Sequence, residues 1–143
     1  KRIVDLGCGS GVLGTRAALE NADASVLFLD DSYAAVESAR LTFRGACGEE
    51  RDADFRVTDA LDGVERDSAD LILTNPPFHD GRVTGDAIAW AMFTGSKRVL
   101  RPGGELWVVG NRHLGYHKKL GRIFGNCETV SSHPKFVVLV ARG

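Results

Sequence analysis

Strand-length apolar runs alternate with helix-period segments along almost the whole chain, and this alternation limits the possible folds more than any other feature. The runs lie at residues 3–6, 25–29, 54–58, 70–74, 105–109, 128–131 and 136–140, with helical patterns at 11–21, 32–47, 84–101 and 116–125. Strands separated by helices predict a parallel sheet covered on both faces. Only Ser132-His133-Pro134 and its immediate neighbours join the last two runs, too few residues for a crossover, so those strands must form an antiparallel hairpin. The predicted architecture is α/β: a doubly wound, Rossmann-like sheet of five parallel strands plus a C-terminal antiparallel hairpin, in a single domain over 1–143. Ile88, Met92, Gly95 and Val99 recur at helical spacing, which predicts one apolar face with Trp90 and Met92 in or near the core. Arg101-Pro102-Gly103-Gly104 predicts a helix stop and a turn before the next strand.

Composition narrows the class. No apolar run approaches the ~20 residues of a membrane span. The three cysteines, Cys8, Cys47 and Cys127, are odd in number, far apart and without a CxxC pair. They are expected to be reduced thiols of a cytoplasmic protein, not a disulfide framework or a zinc site. The chain enters its first strand straight from Lys1, and its one methionine is Met92, so a piece of a longer protein is expected. A formal net charge of −1 gives a polyanion little to bind, so any nucleic-acid surface must be local or come from another part of that protein.

A glycine-rich turn, Gly7-Cys8-Gly9-Ser10-Gly11, links the first strand to the first helix, with Asp5 two residues before it. Gly7, Gly9 and Gly11 allow positive φ and a close backbone approach by a ligand. A dinucleotide fingerprint would need glycine at position 12, which is Val12, and Asp5 would repel a pyrophosphate. A cationic amino-acid ligand fits better, because the Asp5 carboxylate attracts an ammonium group directly or through water. Asp30 ends the second strand nineteen residues past Gly11, close to the spacing of about 20 for a ribose-binding acid. Asp31 and Ser32 read as a helix start, with Ser32 the N-cap and Asp31 a capping acid. Asp59 ends the third strand, positioned to accept a bond from an adenine amino group, with the Ala60 N–H facing the ring. Together these residues predict an adenosine joined to a methionine, that is, S-adenosylmethionine.

The fourth strand runs into Asn75-Pro76-Pro77-Phe78. Two prolines cannot donate ladder hydrogen bonds, so the strand stops there on a stiff end. The Asn75 side-chain oxygen and the Pro76 carbonyl are predicted to accept the two protons of a planar NH2 group, which orients the nitrogen lone pair and stabilises its developing positive charge. Phe78 is predicted to stack a flipped base. No metal is required. His113 and His117 have i, i+4 spacing, but Gly115 lies between them and no third ligand follows, so they are read as coincidental.

The segments Asn75-Pro76-Pro77-Phe78-His79 and Gly110-Asn111-Arg112-His113-Leu114-Gly115-Tyr116, taken with residues 4–11, resemble the ribosomal RNA guanine-N2 methyltransferases, a class I methyltransferase family. Residues 120–139 look most like its large-subunit branch. The resemblance covers essentially the whole chain. It implies a catalytic C-terminal half whose degenerate N-terminal partner domain helps bind RNA. It also implies Gly7, Gly9, Gly11, Asp30 and Asp59 at the cofactor, and Asn75, Pro76 and Phe78 at guanine. Pro77, His79, Asn111, Arg112 and Lys118 are assigned to the substrate side; of the other basic residues nearby, Arg122 could touch phosphate and Lys119 is read as a solvated helix face. The same Asn-Pro-Pro logic serves adenine-N6 and glutamine-N5 methylation, but those families usually have tyrosine or tryptophan where Phe78 stands. A non-catalytic RNA-binding module would not need both an intact glycine turn and the Asn-Pro-Pro-Phe segment.

Overall fold

The computed structural model describes residues 1–77, 83–111 and 115–143. In chain order the elements are β1 (Arg2–Leu6), α1 (Val12–Glu20), β2 (Ser25–Asp30), α2 (Tyr33–Cys47), β3 (Ala53–Val57), β4 (Ala69–Thr74), α3 (Val83–Val99), β5 (Leu100–Asn111), α4 (Tyr116–Phe124), β6 (Glu128–Ser132) and β7 (Phe136–Arg142). The strands form one sheet in the order β3-β2-β1-β4-β5-β7-β6, with β1 to β5 parallel. β7 runs antiparallel to both β5 and β6, as the short connection requires. The strand order reverses between β1 and β4, and in such sheets the carboxyl ends at that reversal form the binding crevice. Among the described residues no helix is long and apolar enough to cross a membrane.

Alternation along the strands sends side chains to two cores. Val4, Leu6, Leu29 and Leu106 pack with Phe93 of α3 and Leu120 of α4 on one face. Ile3, Val26 and Phe28 pack with Ala39 and Phe43 of α2 on the other. Phe28 and Phe43 are fully buried and meet edge to face at 5.4 Å, each contributing roughly 1.5–3 kcal/mol by leaving water.

Two expectations are corrected, and Asp5 is placed below the turn it precedes. Arg101–Gly104 is not a free turn between helix and strand. Leu100 already pairs with Ala69, and the segment bulges within β5 while Gly103 N–H donates to the Gly143 carbonyl at 3.0 Å. The buried stripe of α3 is turned from the one expected: Ala89, Met92, Phe93, Ser96 and Val99 are buried, and Trp90 is exposed. Asp5 lies beneath the glycine turn. It is on the α1 face of β1 with Ile3, is 1% exposed, and accepts a hydrogen bond from the Gly14 N–H at 2.9 Å. The N-cap of α1 is Gly11, which has no side chain, so Asp5 supplies the acceptor that the first helical turn lacks.

This packing requires Gly14. A Cβ there would meet Phe28 Cε1 at 2.6 Å and Asp5 Cβ at 2.9 Å, whereas a Cβ at Gly45 of α2 meets nothing within 4 Å. Gly14→Ala should therefore lower stability by about 1–3 kcal/mol despite the better helix propensity of alanine. Gly45→Ala should raise it by up to about 1 kcal/mol; urea titration of both variants is the check. Burial pushes the Asp5 carboxyl from 3.8 up to about 7, with Asp30 adding repulsion and the Gly14 bond opposing. Between these values the unfolded chain is ionised while the folded chain keeps its proton, so Asp5 makes stability fall as pH rises from about 4 to about 7. Asp5→Asn, which keeps an acceptor for Gly14, should remove that decline in melting curves recorded across the window.

Candidate functional site

The site is built where β1, β2, β3 and β4 end. At the end of β2, the Leu29 carbonyl accepts from Cys8 N–H at 2.8 Å, drawing the glycine turn onto the neighbouring strand. Asp30 Oδ2 accepts from Gly9 N–H and Oδ1 from Ser32 N–H, both at 3.0 Å. Its carboxylate therefore holds the turn and the start of α2 together, and each oxygen keeps lone-pair capacity for one more donor. Gly11 closes the turn through its N–H to the Cys8 carbonyl at 2.8 Å, in a left-handed conformation (φ +80°). A side chain there would meet the Ala39 backbone at 2.9 Å, so α1 and α2 could not pack as they do.

The third strand is tied in by Thr58 N–H, which donates to the Asp30 carbonyl at 2.9 Å. Thr58 Oγ1 donates to the Ala60 carbonyl at 2.8 Å, and Ala60 takes a positive φ of 49°, turning the chain sharply after Asp59. On the other side of β1, the buried Thr74 hydroxyl donates to the Leu6 carbonyl at 2.8 Å, so the end of β4 is fixed to the end of β1. Asn75 follows directly and is exposed, Pro76 is buried, and Pro77 is exposed again.

These ends enclose a cavity of about 690 Å³, within the roughly 300–1,000 Å³ of small-molecule sites. Gly7, Asp30, Asp59, Ala60, Asn75 and Pro77, all expected from sequence, line it together. Gly9 and Gly11 shape the turn behind it, and Asp5 sits below it, unable to reach a ligand directly in this arrangement. Ser32 Oγ caps α2 as expected, accepting from Ala35 N–H at 3.2 Å, while Asp31, read as part of the helix start, lines the cavity. The opposite wall is α3, through Ala87, Ile88, Ala91 and Met92; the sequence reading put Ile88 and Met92 on an apolar helix face and did not single out the two alanines. Ala87 and Ala91, one helical turn apart, were the available signal, since small residues let a ligand approach a helix closely. Phe78, His79 and Arg112 lie outside the described residues. Asn111 ends β5 opposite Phe136, and Lys118 is exposed on α4, both outside the cavity lining. Lys119 pairs with Asp86 of α3.

Burial pushes the Cys8 thiol up to about 12, with Asp5 and Asp30 adding to the shift, so it stays protonated and is no nucleophile. Among the described residues no three His, Cys, Asp or Glu side chains gather as a metal site.

Residues 1–140 match the model of the family described as "Methyltransferase small domain". The chain is 61% identical over 141 residues to the ribosomal RNA large subunit methyltransferase G of Streptomyces avermitilis, and 54% identical over 140 residues to that of Pseudomonas aeruginosa. It aligns over 99% and 98% of its own length there, but spans only 37% of either relative. Among solved structures, the T. thermophilus 16S rRNA N2 methyltransferase in complex with AdoMet and guanosine superposes with a TM-score of 0.80 at 29% identity, over 99% of this chain and 37% of that one. The fold of a ribosomal protein L11 methylase from Lactobacillus delbrueckii is also shared, with a TM-score of 0.76 at 19% identity over 99% of this chain and 69% of that one. The glycine turn, the strand-end acids and the Asn-Pro-Pro edge thus stand in a known frame: the chain belongs to the methyltransferase small domain family.

Proposed function

We propose that residues 1–143 are the catalytic domain of an S-adenosylmethionine-dependent enzyme that methylates the exocyclic N2 of a guanine in large-subunit ribosomal RNA. One observation supports this most: Asn75 lines the same cavity as Gly7, Asp30 and Asp59, so the residue assigned to the amine and those assigned to the cofactor share one space. The names of the 54–61% identical relatives agree with it, as does the guanosine in the T. thermophilus complex.

The residues present fit the cofactor. Asp30, already fixed by two backbone N–H groups, has capacity left for two ribose hydroxyls. Gly7 leaves a gap that a Cβ would narrow to 3.0 Å from the Met92 methyl. Asp59 and Ala60 are assigned to adenine. When bound, S-adenosylmethionine supplies a methyl group on a sulfonium, already activated for transfer. The chain's part is orientation: the Asn75 amide oxygen and the Pro76 carbonyl hold the two amine protons, and Phe78 stacks the base. In the full-length protein, an N-terminal domain adds the RNA affinity that a chain of net charge −1 lacks, and the enzyme works in the cytoplasm.

Calorimetry should show S-adenosylmethionine binding that Asp30→Ala weakens by about 1–3 kcal/mol, the loss of a charged acceptor. Binding of NAD instead would overturn the assignment. Asn75→Ala should leave that affinity nearly intact and slow methyl transfer by ~2.7–4 kcal/mol, as removal of one preorganised transition-state contact does elsewhere. Single-turnover transfer at saturating cofactor reads this directly, and a parent-like rate in Asn75→Ala would end the amine-positioning mechanism.

A further inference from the structure

The tip of the β6–β7 hairpin has no part in the cavity, yet its geometry is that of a ligand platform. Phe136 pairs with Asn111, three residues beyond Val108, and Val108 is level with Thr74 at the end of β4. At about 3.3 Å per residue the hairpin tip therefore rises roughly 10 Å above the edge where Asn75 begins. Two strand spacings, again roughly 10 Å, separate β4 from β7. Phe136 is 44% exposed, and His133 is stacked on it with ring centroids 4.6 Å apart and planes 14° from parallel. The stack is fixed by His133 N–H to the Phe136 carbonyl at 2.8 Å and by Lys135 N–H to His133 Nδ1 at 3.2 Å. A stacked ring pair at the rim of a crevice is a surface on which a further flat group can lie.

Charge selects the partner. The cavity half of the edge carries Asp30, Asp31, Asp59 and Asp62. Residues 129–141 contain no acid and include Lys135. A polyanion is repelled from the first half and admitted to the second. The geometry points to the His133–Phe136 pair as a stacking platform for a nucleobase of the single-stranded RNA flanking the target guanine, with Lys135 at the adjoining phosphate. This rests on the proposed RNA substrate.

The test uses the full-length protein and unmodified large-subunit RNA transcript, with filter binding and methyl transfer measured in parallel. Phe136→Ala should weaken RNA binding and raise KM for RNA roughly tenfold, the effect of losing one base stack, with kcat and cofactor affinity unchanged. Phe136→Trp should restore both. Lys135→Ala, at an exposed position, should lower the slope of log affinity against log salt by about 1. If Phe136→Ala and Lys135→Ala bind and turn over RNA as the parent does, the platform is refuted. A parent protein that binds the RNA but does not methylate it would overturn the proposed activity instead, and the binding data alone would then decide the platform. No RNA binding by the parent would remove both.

Discussion

Four hydrogen bonds converge on the last two residues of β2, and the binding edge depends on them. Cys8 N–H reaches the Leu29 carbonyl, Thr58 N–H the Asp30 carbonyl, and the two carboxylate oxygens of Asp30 take Gly9 and Ser32. One strand end thereby fixes the glycine turn, the start of α2 and the end of β3. A carboxylate accepting two backbone N–H groups is held in place before any ligand arrives, so little ordering remains to be done on binding. The same bonds give Asp30 a structural role beside the ribose-binding role proposed for it. A substitution there loosens the loops along with the ligand.

That anchor works only because backbones approach closely on both sides of it. Gly11 lets α1 lie against Ala39, and Gly14 lets it lie against Phe28 and Asp5. Asp5 completes the arrangement from within, as the acceptor for a helix whose N-cap is a glycine. Its burial is tolerable because the group can remain protonated, which is the usual escape for a carboxyl with one neutral donor and a second acid nearby.

Much of this was legible in the sequence, because the parallel sheet and its loops follow local rules. Alternation of period 2 and period 3.6 located the seven strands and four helices of the described residues to within two residues at each end, except that β5 begins five residues early, and strand-end acids marked one edge. What was not legible depends on distant pairing. Asp5, read as attracting an ammonium group directly or through water, points inward to Gly14 from the α1 face of β1, which alternation along one strand did not reveal. Ser32 caps α2 as its sequence position predicts, whereas Asp31, read only as part of that helix start, lines the cavity. The Arg101–Gly104 segment has strong turn chemistry, but Leu100 pairing with Ala69 and the clasp from Gly143 draw it into β5. The wall contributed by α3 was hidden for a related reason. A helix that lines a cavity with Ala87, Ile88, Ala91 and Met92 has the same apolar pattern as one that only packs against a core.

The two halves of the edge differ in charge, and this difference bears on the residue at position 75. Acids gather where β2 and β3 end, suited to hydroxyl and amino donors and to a cationic ligand. The end of β4 instead presents a neutral amide on a stiff proline support. A carboxylate there would add a further negative charge beside Asp30, Asp31 and Asp59, and a partly desolvated acid among acids tends to take up a proton. A protonated carboxyl has an O–H donor where the amine needs an acceptor. An amide oxygen cannot be titrated in this way. It keeps its acceptor character at any pH the fold tolerates, while its neutrality leaves Asp30, Asp31 and Asp59 as the charges that line the cavity among the described residues. The amide at the end of β4 is thus the electrostatic complement of the carboxylate at the end of β2: one end is suited to donors and cations, and the other to orienting a group without adding charge.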